Sequence, residues 1–115
     1  MHRISNKWYI YFEADDGNTD NHQLYVLENP SDDPMQGQFK LKGVLKTNEE
    51  WNYGIHPSTF VVGKRQYLVW SGWPKRRSET ETQCIYIAGM KNPWTVNTRR
   101  VKISTPTYEW ERQWI

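Results

Sequence analysis

Gln66-Tyr67-Leu68-Val69-Trp70-Ser71-Gly72-Trp73 and Gln83-Cys84-Ile85-Tyr86-Ile87-Ala88 decide the fold class. Both are short runs rich in Tyr, Ile, Val and Trp between turn-forming residues, the composition of half-buried strands. Each has an earlier counterpart. Tyr67-Leu68-Val69-Trp70 matches Tyr9-Ile10-Tyr11-Phe12, Ile85-Tyr86-Ile87-Ala88 matches Leu24-Tyr25-Val26-Leu27, and Asn92-Pro93 matches Asn29-Pro30. Tyr9 and Tyr67 are 58 positions apart, Tyr25 and Tyr86 61, and Asn29 and Asn92 63. The drift is that of loops lengthening between equivalent strands. A period of this size with four strands per unit is the signature of β-propeller blades.

Working outward, strands are expected near Trp8 to Ala14, Gln23 to Glu28, Phe39 to Leu45, Thr59 to Val62, Gln66 to Ser71, Gln83 to Ala88 and Arg100 to Ser104. No stretch has helical periodicity, so the fold class is all-β. The second unit runs from just after His56 to near Ser104 and holds a complete blade. The first corresponds only to the last three strands of a blade, its innermost strand being expected upstream of Met1. Residues 1–50 are thus read as the last three strands of one blade and 51–115 as the next complete blade with a linker. Together they form about one and three-quarter blades of a single propeller domain. Such a partial ring exposes apolar faces and unpaired edges. The chain therefore reads as a fragment, with a swapped oligomer as the other way to cover those edges.

Composition narrows the function. Apolar residues make up 37% of the chain and aromatic residues 15%, so seven Trp and seven Tyr must supply much of the core. Fifteen basic residues stand against thirteen acidic ones, a formal charge of +2 with both signs interspersed. No field for nucleic acid or a membrane surface is evident. The single cysteine, Cys84, lies within a strand pattern and reads as a buried thiol. No run reaches the about 20 apolar residues of a membrane span, and the N-terminus lacks a signal-peptide h-region.

Two further stretches carry chemistry: Tyr53-Gly54-Ile55-His56-Pro57-Ser58-Thr59-Phe60, and the Gln66 to Trp73 run that follows it. Here the sequence resembles glycoside hydrolase family 43. The resemblance continues through Gln83 to Ala88, Asn92-Pro93-Trp94-Thr95 and Ser104-Thr105-Pro106-Thr107-Tyr108-Glu109-Trp110-Glu111. It also reaches back to Trp8-Tyr9-Ile10-Tyr11-Phe12 and His22-Gln23-Leu24-Tyr25-Val26-Leu27-Glu28. It implies a five-bladed β-propeller and an inverting hydrolase of arabinofuranosides or xylosides in plant polysaccharide breakdown. Inversion needs one carboxylate to activate water and a protonated one on the opposite face to protonate the leaving oxygen. In this family a third carboxylate orients and tunes the acid, and each of the three lies near the start of an innermost strand.

The resemblance puts the base before Met1 and the acid beyond Ile115, so the isolated chain is expected to be inactive. His56 occupies the position of the tuning Asp. A neutral imidazole offers one donor and one acceptor but no fixed negative charge, and a protonated one would lower the pKa of a nearby acid. The competing reading is a turn histidine before Pro57.

Trp51, Trp70 and Trp73 are the candidate sugar-stacking residues. Trp70, inside a strand, fits core packing better, whereas Trp51 and Trp73 flank turns and leave both uses open. His22 has no partners at metal-ligand spacing and reads as a structural hydrogen-bonding residue. Glu13, Asp15, Asp16 and Asp20 lack EF-hand spacing and read as a polar hairpin. Lys75-Arg76-Arg77, followed by Glu79 and Glu81, reads as solvated surface. No metal and no cofactor is implied. The expected partner is an arabinose- or xylose-containing oligo- or polysaccharide, and the compartment stays open, extracellular if a signal peptide precedes Met1. The alternative is a propeller-derived protein that holds sugar without cleaving it, since one fold hosts both uses.

Overall fold

The computed structural model describes residues 1–48, 51–74 and 83–112, which form two antiparallel sheets. The first contains β1 (His2–Ile4), β2 (Lys7–Ala14), β3 (Gln23–Asn29) and β4 (Lys40–Val44) in sequence order. In the second, β5 (Ile55–Val62), β6 (Arg65–Gly72), β7 (Cys84–Asn92) and β8 (Thr95–Val96) follow in order, and β9 (Val101–Ser104) also pairs with β7. Two short 3-10 turns, Thr19–Asn21 and Glu109–Arg112, complete the described elements. The basic cluster Lys75-Arg76-Arg77 and the glutamates after it lie outside the described residues.

Alternation explains both the strands and the way the sheets face each other. Along β6, Gln66, Leu68, Trp70 and Gly72 are buried while the residues between them are more open, and β7 buries Cys84, Tyr86, Ala88 and Met90 in the same rhythm. The register sets Leu68 opposite Ala88 and Trp70 opposite Tyr86, whose rings stack with centroids 5.9 Å apart. This face packs on Tyr9, Leu24, Val26 and Leu45 of the first sheet in one continuous core. Full burial of each large apolar side chain contributes about 1.5–3 kcal/mol, so the contact between sheets is a major source of stability.

Polar links reinforce that contact. The Tyr11 hydroxyl donates to the carbonyl of Pro93 and accepts from Gln66 Nε2 at 3.0 Å. Lys42 Nζ lies 4.2 Å from the centre of the Trp94 ring. Burial pushes the Tyr11 phenol up to about 12. Tyr9, 1% exposed, donates to Glu28 Oε2 at 2.7 Å, and burial together with that carboxylate raises its pKa strongly.

β1 departs from the expected absence of an innermost strand in the first sheet. His2–Ile4 pairs with β2 through a two-residue turn in which Ser5 and Asn6 have φ of 51° and 65°, the backbone of a type I′ hairpin. Ile4 opposite Lys7 repeats Val62 opposite Arg65, so β1 is the end of the strand equivalent to β5. Three residues without apolar alternation, joined by a turn lacking Gly, leave little periodic signal. β5 likewise begins at Ile55, ahead of the expected Thr59. Its pairing shifts between Ile55 and Ser58, and His56 within that bulge has φ 52°.

Candidate functional site

One end of the molecule gathers the close of β2, the β2–β3 hairpin, the start of β5 and the close of β6. The hairpin is held by its own acids. Asp15 Oδ1 accepts from the Gly17 amide at 2.8 Å, and Asp16 accepts from the Asn18 amide at 3.1 Å and from Asn21 Nδ2 at 2.9 Å and 3.1 Å. The backbone amide of Asn18, then the side chain of Asn21, holds the Asp16 carboxyl below its usual range. Asp15 Oδ2 lies 2.7 Å from His22 Nδ1. His22 also receives the Gly54 amide on its carbonyl at 3.2 Å, so the hairpin grips the segment that leads into His56. Among the described residues, no three His, Cys, Asp or Glu side chains form a metal-binding group.

His56 is exposed, its side chain 75% accessible, at the bulge that opens β5. Its backbone amide donates to Glu13 Oε2 at 3.2 Å, and its Nδ1 lies 3.6 Å from Glu13 Oε1. The second distance is too long for a hydrogen bond, and the contact is an ion pair only when the imidazole is protonated. The sequence alone reads Glu13 as one acid of a polar hairpin and does not link it to His56. Its partner is 43 positions away in the other sheet, and nothing local distinguishes it from the acids of the hairpin.

The tryptophans separate by burial. Trp70 is 1% exposed and stacked on Tyr86, and Trp73 is 6% exposed with its ring edge against Tyr53 at 6.3 Å. Neither presents an open face to a sugar, so both act as packing in this structure. Arg100 fixes the Trp73 end by donating to the carbonyls of Trp73 and Pro74 at 2.8 Å and 2.9 Å while its guanidinium lies 4.1 Å from the Tyr86 ring centre. Trp51 is only partly buried. Its indole donates to the carbonyl of Asp20 at 3.0 Å, and its ring sits 4.9 Å from Tyr53 at a 35° tilt. Trp51 is thus the one of the three candidates with surface left for a ligand. Tyr53, which opens the Tyr53 to Phe60 motif, joins Trp51, Trp73 and His22 into one aromatic cluster.

A separate groove of about 900 Å³ runs between the β4–β5 connection and the segment from Val96 to Arg100. Neither His56 nor any of the three tryptophans lines it.

The sequence matches the profile of Glycosyl hydrolases family 43 across residues 1–115. The chain belongs to glycosyl hydrolase family 43. It is 32% identical over 112 residues to an extracellular exo-α-(1→5)-L-arabinofuranosidase of Streptomyces chartreusis, a match covering 96% of this chain and 33% of that protein. It is 33% identical over 114 residues to α-L-arabinofuranosidase 43 of Humicola insolens, covering 97% of this chain and 23% of that one. The crystal structure of an α-L-arabinofuranosidase from Lactobacillus brevis superposes with a TM-score of 0.76 at 30% identity, over 95% of this chain and 35% of that one. This family 43 chain therefore spans a quarter to a third of the length of these relatives. Its two sheets are blades of a partial β-propeller, in agreement with the repeat in the sequence.

Proposed function

We propose that these 115 residues form part of an α-L-arabinofuranosidase propeller acting on arabinose-containing polysaccharide, with His56 and Trp51 at the sugar-binding end. The observation that carries the reading is the pairing of family membership with arabinofuranosidase relatives on both the sequence and the structural side. Arabinofuranoside is favoured over xyloside for that reason. Residues 1–50 supply the last three strands of one blade together with β1, the end of its innermost strand, and 51–115 the next blade with its linker. The secreted state follows the Streptomyces relatives, which are named as extracellular.

Within that reading, His56 takes the place at which the family carries a tuning carboxylate. An inverting displacement is performed by a base that activates water and an acid that protonates the departing oxygen. Both lie outside the span 1–115 on this reading. His56 would then act on orientation, because neutral imidazole can accept a hydrogen bond from a sugar hydroxyl or donate one to the acid. Trp51 offers a flat apolar surface beside it in sequence for the ring face of the sugar.

The test is hydrolysis of 4-nitrophenyl α-L-arabinofuranoside and of the corresponding β-D-xyloside by the gene product in which residues 1–115 occur, with the 115-residue chain alone as a control. Preferential turnover of the arabinofuranoside by the gene product, and none by the isolated chain, supports the proposal. Preferential turnover of the xyloside overturns the choice of sugar. Binding of arabino-oligosaccharide with no hydrolysis by either would make this a sugar-holding protein.

A further inference from the structure

We propose that Glu13 is a positioning residue for His56, holding its ring with Nδ1–H toward the carboxylate and Nε2 outward as an acceptor for a sugar hydroxyl. The inference rests on the reading of His56 as a site residue.

A non-glycine residue in the left-handed region is costly, and His56 adopts φ 52° inside a bulge where the β5–β6 register is interrupted. An amide in such a bulge loses its regular place in the ladder. That amide donates to Glu13 Oε2 at 3.2 Å, so a carboxylate from the neighbouring sheet stabilises the conformation that projects the imidazole. The second oxygen of the same carboxylate stands 3.6 Å from Nδ1. One side chain thus addresses both the main chain and the ring of His56.

The surroundings favour this pair over others. On β6, the residues paired to either side of the bulge are Ser71 and Val69, neither of which is ionised at neutral pH. On the β2–β3 hairpin, Asp15 is engaged by the Gly17 amide and by His22. Glu13 is the more enclosed partner, with its side chain 28% accessible against 75% for His56. The carboxylate is therefore held while the imidazole reaches outward. A negative charge facing Nδ1 favours the tautomer protonated there, which leaves the lone pair on Nε2. Glu13 and His56 together then bring a carboxylate and a hydrogen-bonding ring to the position where a single tuning carboxylate is expected.

The experiment is long-range 1H–15N NMR of the 115-residue chain at a pH where imidazole is neutral, comparing wild type with Glu13→Ala, Glu13→Gln and Glu13→Asp. Wild type should favour the Nδ1-protonated tautomer of His56. Glu13→Ala should lower the ratio of Nδ1-H to Nε2-H by about threefold, the scale of a partly exposed charge contact, and Glu13→Asp should restore it in part. If Glu13→Ala loses the dispersed spectrum of the fold, Glu13→Gln decides, since it keeps size and an acceptor for the His56 amide while removing the charge. An unchanged ratio in the folded variant overturns the proposal. The readout does not depend on turnover, so it can fail while the glycosidase reading stands, and the reverse.

Discussion

Gly54→Ala is the sharpest perturbation of the joint between the two sheets. Gly54 is buried one step before β5, and its amide donates to the His22 carbonyl at 3.2 Å. A Cβ there would lie 2.8 Å from Leu24 Cγ and 3.0 Å from Leu24 Cδ1. Leu24 is fully buried in the shared core and has no open space to retreat into. Overpacking of this kind costs about 1–3 kcal/mol. The reduced freedom of the unfolded chain offsets about 0.4–1 kcal/mol of that. A net loss of about 1–2 kcal/mol follows. In urea, with a slope of about 1–3 kcal/mol per molar for a chain of this size, the midpoint should fall by about 1 M with the slope unchanged. The decisive comparison is the same substitution in a Leu24→Ala background, where the added methyl enters space already vacated and should cost nothing. The resulting coupling of about 1–2 kcal/mol is the signature of direct contact. An unchanged midpoint in the single variant, or an equal cost in both backgrounds, would refute the packing account.

Other consequences can be checked by simpler means. The Tyr11 phenol is raised to about 12 in the folded chain against an ordinary value near 10, so its contribution to stability is full below about pH 10 and is lost as pH rises toward about 12. Chemical denaturation across that window should show wild type losing stability faster than Tyr11→Phe. Near neutral pH, Tyr11→Phe should itself be less stable by about 1 kcal/mol through loss of the Pro93 and Gln66 links. Cys84 is 2% exposed, so thiol reagents should label it only at the rate of unfolding and promptly in denaturant. Trp51→Ala should weaken binding of arabino-oligosaccharide by isothermal titration about tenfold, the scale of one lost aromatic contact. Trp70→Ala should instead lower stability by about 3–5 kcal/mol.

Much of the fold is legible in the amino-acid order because burial and strand period coincide. β2, β3, β6 and β7 carry runs of Tyr, Leu, Val, Ile and Trp whose facing sets enter one core, and the duplication of those runs marks the two sheets. β1 and β8 have three and two residues, too few to show a period. The opening of β5 is obscured by His56-Pro57, where a bulge interrupts the alternation. The candidate site divides in the same way. His56 is visible through the motif around it. The burial of Trp73 is set by Tyr53 and by Arg100, 27 positions away, and the contact of Glu13 with His56 crosses between sheets. Such partners are chosen by tertiary packing, which leaves no local pattern.

The most direct test of the functional account is the rate of 4-nitrophenyl α-L-arabinofuranoside hydrolysis by the gene product carrying this chain, measured beside its His56→Ala variant. The account predicts turnover that falls by about tenfold or more in kcat when His56 is removed, the lower scale of a lost positioned proton donor or acceptor. Turnover that is indifferent to His56 would contradict its place in the site, and absence of turnover in the folded wild-type protein would contradict the assignment as an arabinofuranosidase.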